Sequence, residues 1–210
     1  MSFYAFIKLI VPYFITSLSL ITRIIPHPPN FTATNSAIIY SNMTINSYLS
    51  ILIPVMLYFL EDIIRTYFIY KSRFTVLYVL EVHLYYLIVS ILIKIFANKN
   101  LKVKKLKKIH FIKVIISIIF SSTLFFIWSN FIVYLNSSKT ILKVYIDALP
   151  FYMYEFSSNI LYTALFICLD KTIYTIFNFI EYKYNINNKN IKVNEDAAFI
   201  ENNNTYKCIC

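Results

Sequence analysis

Four polar residues crowd a stretch that cannot be a regular element. Arg23, His27, Asn30 and Thr32 stand around Pro26, Pro28 and Pro29. Prolines this close prevent a helix and stiffen an extended loop. Such a loop could hold its polar groups as a preorganised rim over a ligand pocket, because its ordering cost is already met. The same string also fits an interfacial loop whose arginine snorkels to water. Asp62 follows Glu61 and precedes Arg65 by three positions, which fits a cation or proton site and equally a helix-end ion pair. Glu81 and His83 are two apart, so on a helix they face different ways and cannot chelate one ion. His83 alone reads as a satisfied buried imidazole, and Asp170 with Lys171 as a pair that solvates itself. Trp128 fits an interfacial anchor or a stacking platform, and Asn130 beside it offers directional hydrogen bonds.

No catalytic set emerges. The chain has no nucleophile elbow, no H-E-x-x-H and no phosphate loop, the last being impossible without glycine. A non-enzyme with no cofactor is expected, and a single-chain ATP-driven pump is excluded. Cys168 lies in an apolar run and reads as a small buried hydrophobe. Cys208 and Cys210 form a terminal C-x-C, too few soft ligands for a closed zinc site. No metal site is expected.

The elements that position these residues follow from composition. Hydrophobic residues make up 59% of the 210-residue chain and charged residues 14%, with a mean hydropathy of +0.62. A soluble chain is about 45–50% apolar and about 25% charged. The expectation is an all-α integral membrane protein in contact with a lipid bilayer. The net charge of +10 does not point to nucleic acid, because it is local: residues 98–113 hold seven lysines and no acid. That pattern fits a cytoplasmic loop under the positive-inside rule. Glycine is absent altogether, so turns must use Asn, Ser, Pro or Asp and no helix can pack through a G-x-x-x-G face.

A spanning helix needs about 20 mainly apolar residues. Residues 3–22, 45–64, 74–97, 111–135 and 156–180 qualify, and 32–40 forms a shorter apolar segment. Ser41-Asn42 reads as a turn, 136–138 as a loop, and 140–149 as a short mixed segment stopped by Pro150. Residues 1–182 then form a six-helix transmembrane domain, and 183–210 a polar, disordered cytoplasmic tail. With 32–40 as a crossing and the lysine loop inside, both termini are cytoplasmic in a multi-pass protein of the inner (plasma) membrane. If 32–40 is re-entrant, the N-terminus flips outside.

The string R-I-I-P-H-P-P-N-F-T at 23–32 resembles the signature of the bacterial family filed as domain of unknown function 6580, described as transport proteins. The resemblance continues through 53–62, through L-F-F-I-W-S-N-F at 124–131, A-L-P-F at 148–151 and L-Y-T-A-L-F at 161–166. Departures are Ser41-Asn42 at a paired-glycine turn, Thr66, Thr140 and Ser158 at glycine positions, and Asn159 at a usual Asp. That family is similar to the substrate-binding (S) components of energy-coupling-factor transporters. The resemblance implies a six-helix S component that captures a small, vitamin-like molecule from outside. Its implied partners are a transmembrane coupling protein and ATPase subunits, and its implied ligand residues Arg23, His27, Asn30, Thr32, Asp62, Trp128, Asn130, Phe151 and Asn159. His27 and Asn30 would sit on a lid, with Trp128 below and Asn130 fixing the ligand. The missing glycines and the lack of a catalytic set also fit a non-transport membrane scaffold or assembly factor.

Overall fold

The computed structural model describes the backbone of residues 3–66, 76–98 and 106–207, and side chains at 6–7, 9–66, 82–97 and 111–184. Within these bounds the chain is all helix: α1 (Phe3–Ser17), α2 (Ser19–Ile24), α3 (Thr34–Thr44), α4 (Leu49–Ile64), α5 (Val76–Asn98), α6 (Leu106–Leu135) and α7 (Ile141–Lys207). Leu18, between α1 and α2, keeps helical angles (φ −61°, ψ −20°), so these two make one bent rod. Among the described residues the bundle therefore has six rods. The lysine-rich segment 99–105 and Cys208 and Cys210 lie outside the described residues.

Helix α3 is the centre. Every residue from Thr34 to Asn42 is buried, and the remaining rods wrap around it. One side carries Ala37 and Tyr40, packed with Val11 and Ile15 of α1 and Phe166 of α7. Another carries Ile38 and Ile39, packed with Tyr58, Tyr85, Tyr86 and Val89 of α4 and α5. Its length is about 16 Å at 1.5 Å per residue, well short of the ~30 Å hydrocarbon core of a bilayer. Its start is tied to α2 by the Ala33 N–H donating to Thr22 Oγ1 (3.1 Å). Its end meets α5, whose Lys94 ammonium donates to the Ile45 carbonyl. A cation at a helix C-terminus complements the macrodipole. Lys113 does the same for α5, donating to the Ala97 carbonyl at 2.8 Å.

The interior is polar to an unusual degree. Asn42 Nδ2 donates to Ser90 Oγ of α5 (2.8 Å), and Ser50 Oγ of α4 donates to Asn42 Oδ1 (3.0 Å). Ser41 Oγ donates to the Ser50 carbonyl at 2.9 Å. That last bond has a local cause. Pro54 lies inside α4 and has no N–H for the carbonyl four residues back, which is Ser50; the α3 serine fills the vacancy. The outward faces are apolar instead, with Ile116, Ile119, Ile127 and Phe131 of α6 and Ile146, Met153, Leu161 and Leu165 of α7 all exposed. Two segments, Phe111–Leu135 and Ile141–Tyr184, are long and apolar enough to cross a membrane.

Four sequence expectations are corrected. Ser41 and Asn42 are buried inside α3 rather than in a turn, because their side chains are needed as interhelical ties. Pro150 does not stop a segment: α7 runs through it. Tyr145 before the proline and Tyr152 after it both pack on the Phe126 ring, at 5.5 and 5.1 Å, which splints the helix across its missing bond. Cys168 is exposed, not buried. Asp170 takes its hydrogen bond from Tyr40 (2.8 Å) rather than being satisfied by Lys171.

Replacing Asn42 with Leu removes both cross-helix bonds and leaves Ser50 Oγ only the Ser47 carbonyl (2.8 Å) and Ser90 Oγ only the Ile51 carbonyl (3.3 Å), an expected loss of about 1–3 kcal/mol. In thermal unfolding of the detergent-solubilised protein, Asn42→Leu should lower the midpoint by several degrees. Asn136→Leu should barely move it, since the Asn136 amide bonds only its own helix (Ile132 O, 2.9 Å). Equal midpoints for the two variants would show that the α3 ties carry no stability.

Candidate functional site

Residues 28–31 close a turn, the Phe31 N–H donating to the Pro28 carbonyl at 3.0 Å. Pro29 takes the second position, and Asn30 the third with φ of 60°. A proline followed by a positive φ is the type II pattern, which normally calls for glycine. In a chain without glycine, asparagine is the residue that tolerates the left-handed region best. The turn brings Pro29 and Asn30 over the gap between the C-terminal half of α6 and the first four turns of α7.

That gap is a cavity of about 470 Å³. Helix α6 lines it with Phe125, Phe126, Ser129, Asn130 and Val133, and α7 with Asp147, Ala148, Phe151, Tyr152 and Glu155. Both sets recur at three- and four-residue steps, so each is one face of its helix. At the mouth Lys139 Nζ contacts Asp147 Oδ2 at 2.9 Å, and both side chains are about half exposed. At the inner end Glu155 is only 4% exposed. Its Oε1 accepts from Asn35 Nδ2 of α3 (2.7 Å) and from Asn159 Nδ2 one turn along α7 (3.1 Å). Asn159 Nδ2 also donates to Ser122 Oγ of α6 (2.8 Å), and Ser36 Oγ to the Asn159 carbonyl (3.2 Å). The carboxylate thus takes bonds from α3 and from its own helix, in a network that Ser122 extends to α6. Burying a charge is affordable only with such partners.

The sequence-derived ligand residues divide into three places. Asn30, Asn130 and Phe151 line the cavity, and Asn159 supports it from behind through Glu155. Arg23 and Asp62 go elsewhere. Arg23 Nε lies 2.9 Å from Glu61 Oε1 and Nη2 3.6 Å from Asp62 Oδ1, while its guanidinium stacks over the Tyr58 ring at 4.2 Å. The Nε contact is electrostatic rather than an aligned hydrogen bond. Asp62 also lies 3.9 Å from His83 Nε2. These groups bring the ends of α2 and α4 to α5 by charge contacts, so the partner of Asp62 is Arg23 from another helix. His27 Nδ1 meets the Pro28 carbonyl at 2.8 Å and Thr32 Oγ1 meets Thr34 Oγ1 at 3.3 Å; neither lines the cavity. Trp128 turns away from it and packs on the Tyr85–Tyr86 core. No group of three or more metal-ligating side chains gathers among the described residues.

Glu155 is the site residue that sequence reading missed. The signal was present: an acid within an apolar stretch is expensive and tends to face an interior cavity. Treating Pro150 as a stop placed the acid outside the last span, and hid it.

Residues 4–179 match a protein-family model described as a family of unknown function, DUF6580. The chain belongs to that family. The matched range contains every residue that lines the cavity. No curated protein and no solved structure matches this DUF6580 chain.

If the turn geometry sets the cavity rim, Asn30→Gly should keep the melting midpoint. Asn30→Val should lose about 1–2 kcal/mol, since a Cβ-branched residue is penalised at positive φ. Indistinguishable midpoints for Gly and Val would mean that the backbone at 30 is unconstrained.

Proposed function

We propose that this protein is a multi-pass inner (plasma) membrane protein that captures a small solute in the cavity between α6 and α7. In this reading it is an S component of an energy-coupling-factor-like transporter, delivering its solute with a coupling protein and ATPase subunits. The observation that carries the reading is the cavity itself. It is roomy, walled by four aromatic rings, and has a few convergent polar groups with one buried carboxylate at its inner end, which is the usual make-up of a small-molecule site. Two further features support it. The exposed faces of α6 and α7 are apolar, as lipid contact requires. Chain direction alternates so that the cavity, Arg23 and Asp62 lie at the end opposite Lys94 and Lys113, and lysine-rich loops favour the cytoplasm.

Orientation and partnership are tested separately. In a background with Cys168, Cys208 and Cys210 replaced by Ser, an impermeant thiol reagent added outside intact cells should label Ser137→Cys and spare Lys105→Cys. The reverse pattern would invert the topology and leave the cavity facing the cytoplasm. Affinity purification of the native membrane complex should recover a transmembrane coupling protein with ATPase subunits. Recovery of a different stable assembly lacking any ATPase would replace the transport reading with a scaffold.

A further inference from the structure

The buried acid at the inner end of the cavity keeps one oxygen free to accept, and this says what kind of molecule the cavity takes. Asn130 lines the cavity, and one of its two Nδ2 hydrogens is used on the Phe126 carbonyl of its own helix at 2.7 Å. The carbonyl fixes which end of that amide is the donor, so Oδ1 and the second N–H are left over. Ser129 likewise spends its hydroxyl hydrogen on the Phe125 carbonyl (2.7 Å) and keeps only lone pairs. Both bonds to Glu155 fall on Oε1, and Oε2 takes none among the described residues. Lys139 is the cation of the lining, and it is paired with Asp147. No cation among the described residues stands within ion-pair distance of Glu155. Asn30 brings an amide that can both donate and accept at the rim, far from the inner carboxylate.

The walls add a second preference. Phe125, Phe126, Phe151 and Tyr152 surround the space between those acceptors. Ring faces are negative and attract both flat π-systems and cations. An anion would meet a carboxylate at the inner end, two lone-pair oxygens and four ring quadrupoles, with one already-paired lysine at the mouth.

We propose that the cavity binds a small, flat organic cation, a ring system bearing a protonated amine or amidine whose N–H groups donate to Glu155 Oε2 and Asn130 Oδ1. This rests on reading the cavity as a solute site, and specifies its substrate class. The acceptors are held in place before the ligand arrives, so the ligand's donors find their geometry ready.

The test is titration calorimetry of the purified full-length chain in lipid nanodiscs with three probes of one shape: benzamidinium, neutral benzamide and benzoate. Benzamidinium should bind, benzamide about tenfold or more weakly, and benzoate weakest, because a charge-assisted hydrogen bond is lost at each step. Glu155→Gln keeps the acceptor for Asn35 and Asn159 but turns a donor into the cavity. It should cost benzamidinium about tenfold or more and leave benzamide within a few-fold. The probe order in the unaltered protein needs no variant to fold. Benzoate binding as tightly as benzamidinium, no binding by any probe, or benzamidinium affinity unchanged in a folded Glu155→Gln would each overturn the assignment. These outcomes are independent of the partner test. A chain that binds benzamidinium but recovers no ATPase loses the transport reading and keeps the cation site, and the converse result does the opposite.

Discussion

Helix α3 has no face left for solvent or lipid, and that one constraint organises the bundle. A helix enclosed all round must satisfy each polar side chain it carries, because an unpaired buried donor or acceptor costs on the order of 1–3 kcal/mol. Its sequence brings Asn35, Ser36, Ser41 and Asn42 into the interior, so α4, α5 and α7 must present matching groups at matching heights. They do so with Ser50, Ser90, Glu155 and Asn159. The polar ties fix register and rotation in a way that the apolar contacts of Ile38 and Ala37 alone would not. An apolar helix surrounded by apolar helices can slide, whereas a slipped Asn42 would lose both of its cross-helix partners.

The absence of glycine sharpens the same constraint. Close helix packing ordinarily relies on glycine or another small residue at the crossing. Here Ser36, Ser41, Ser50, Ser90, Ser121, Ser122 and Ser158 are all buried, with Ala33 and Ala37 beside them. A serine is small enough for near approach but adds a hydroxyl that must bond, often to a carbonyl of its own helix, as Ser158 does to Glu155 O (2.8 Å). Small-residue packing and a polar interior are therefore one choice rather than two. Asn30 makes the equivalent substitution in a turn, where it supplies the positive φ that the rim requires.

The parts legible in the sequence were those with a strong one-dimensional signal. Apolar runs located the rods before α7 to within about five residues but only the middle of α7, the proline string located the rim, and Asn30, Asn130 and Phe151 do converge on one cavity. What stayed hidden depends on contacts between helices. Nothing local says that Phe126 will splint α7 across Pro150, and that single misreading removed Glu155 from its helix. Arg23 and Asp62 both suggested a ligand when seen one at a time. Their mutual proximity converts two apparently available charges into one internally balanced cluster. Trp128 and Asn130 are two positions apart on α6, so only the rotation of that helix decides that the amide meets the cavity and the indole the core.

The cavity and the central helix are joined by one hydrogen bond, and this explains why the carboxylate can be where it is. Asn35, which donates to Glu155, belongs to the first turn of α3, the positive end of that helix's dipole, where an anion is favoured. Lys94 occupies the opposite end, at the Ile45 carbonyl. The buried acid and the buried lysine are thus complementary to the same dipole and contribute to the fold whether or not the cavity is filled. A group fixed by the scaffold in this way loses little freedom on meeting a ligand, and its remaining oxygen points into the cavity at no further ordering cost. The same interactions that let α3 be buried also leave a preorganised acceptor at the cavity's inner end.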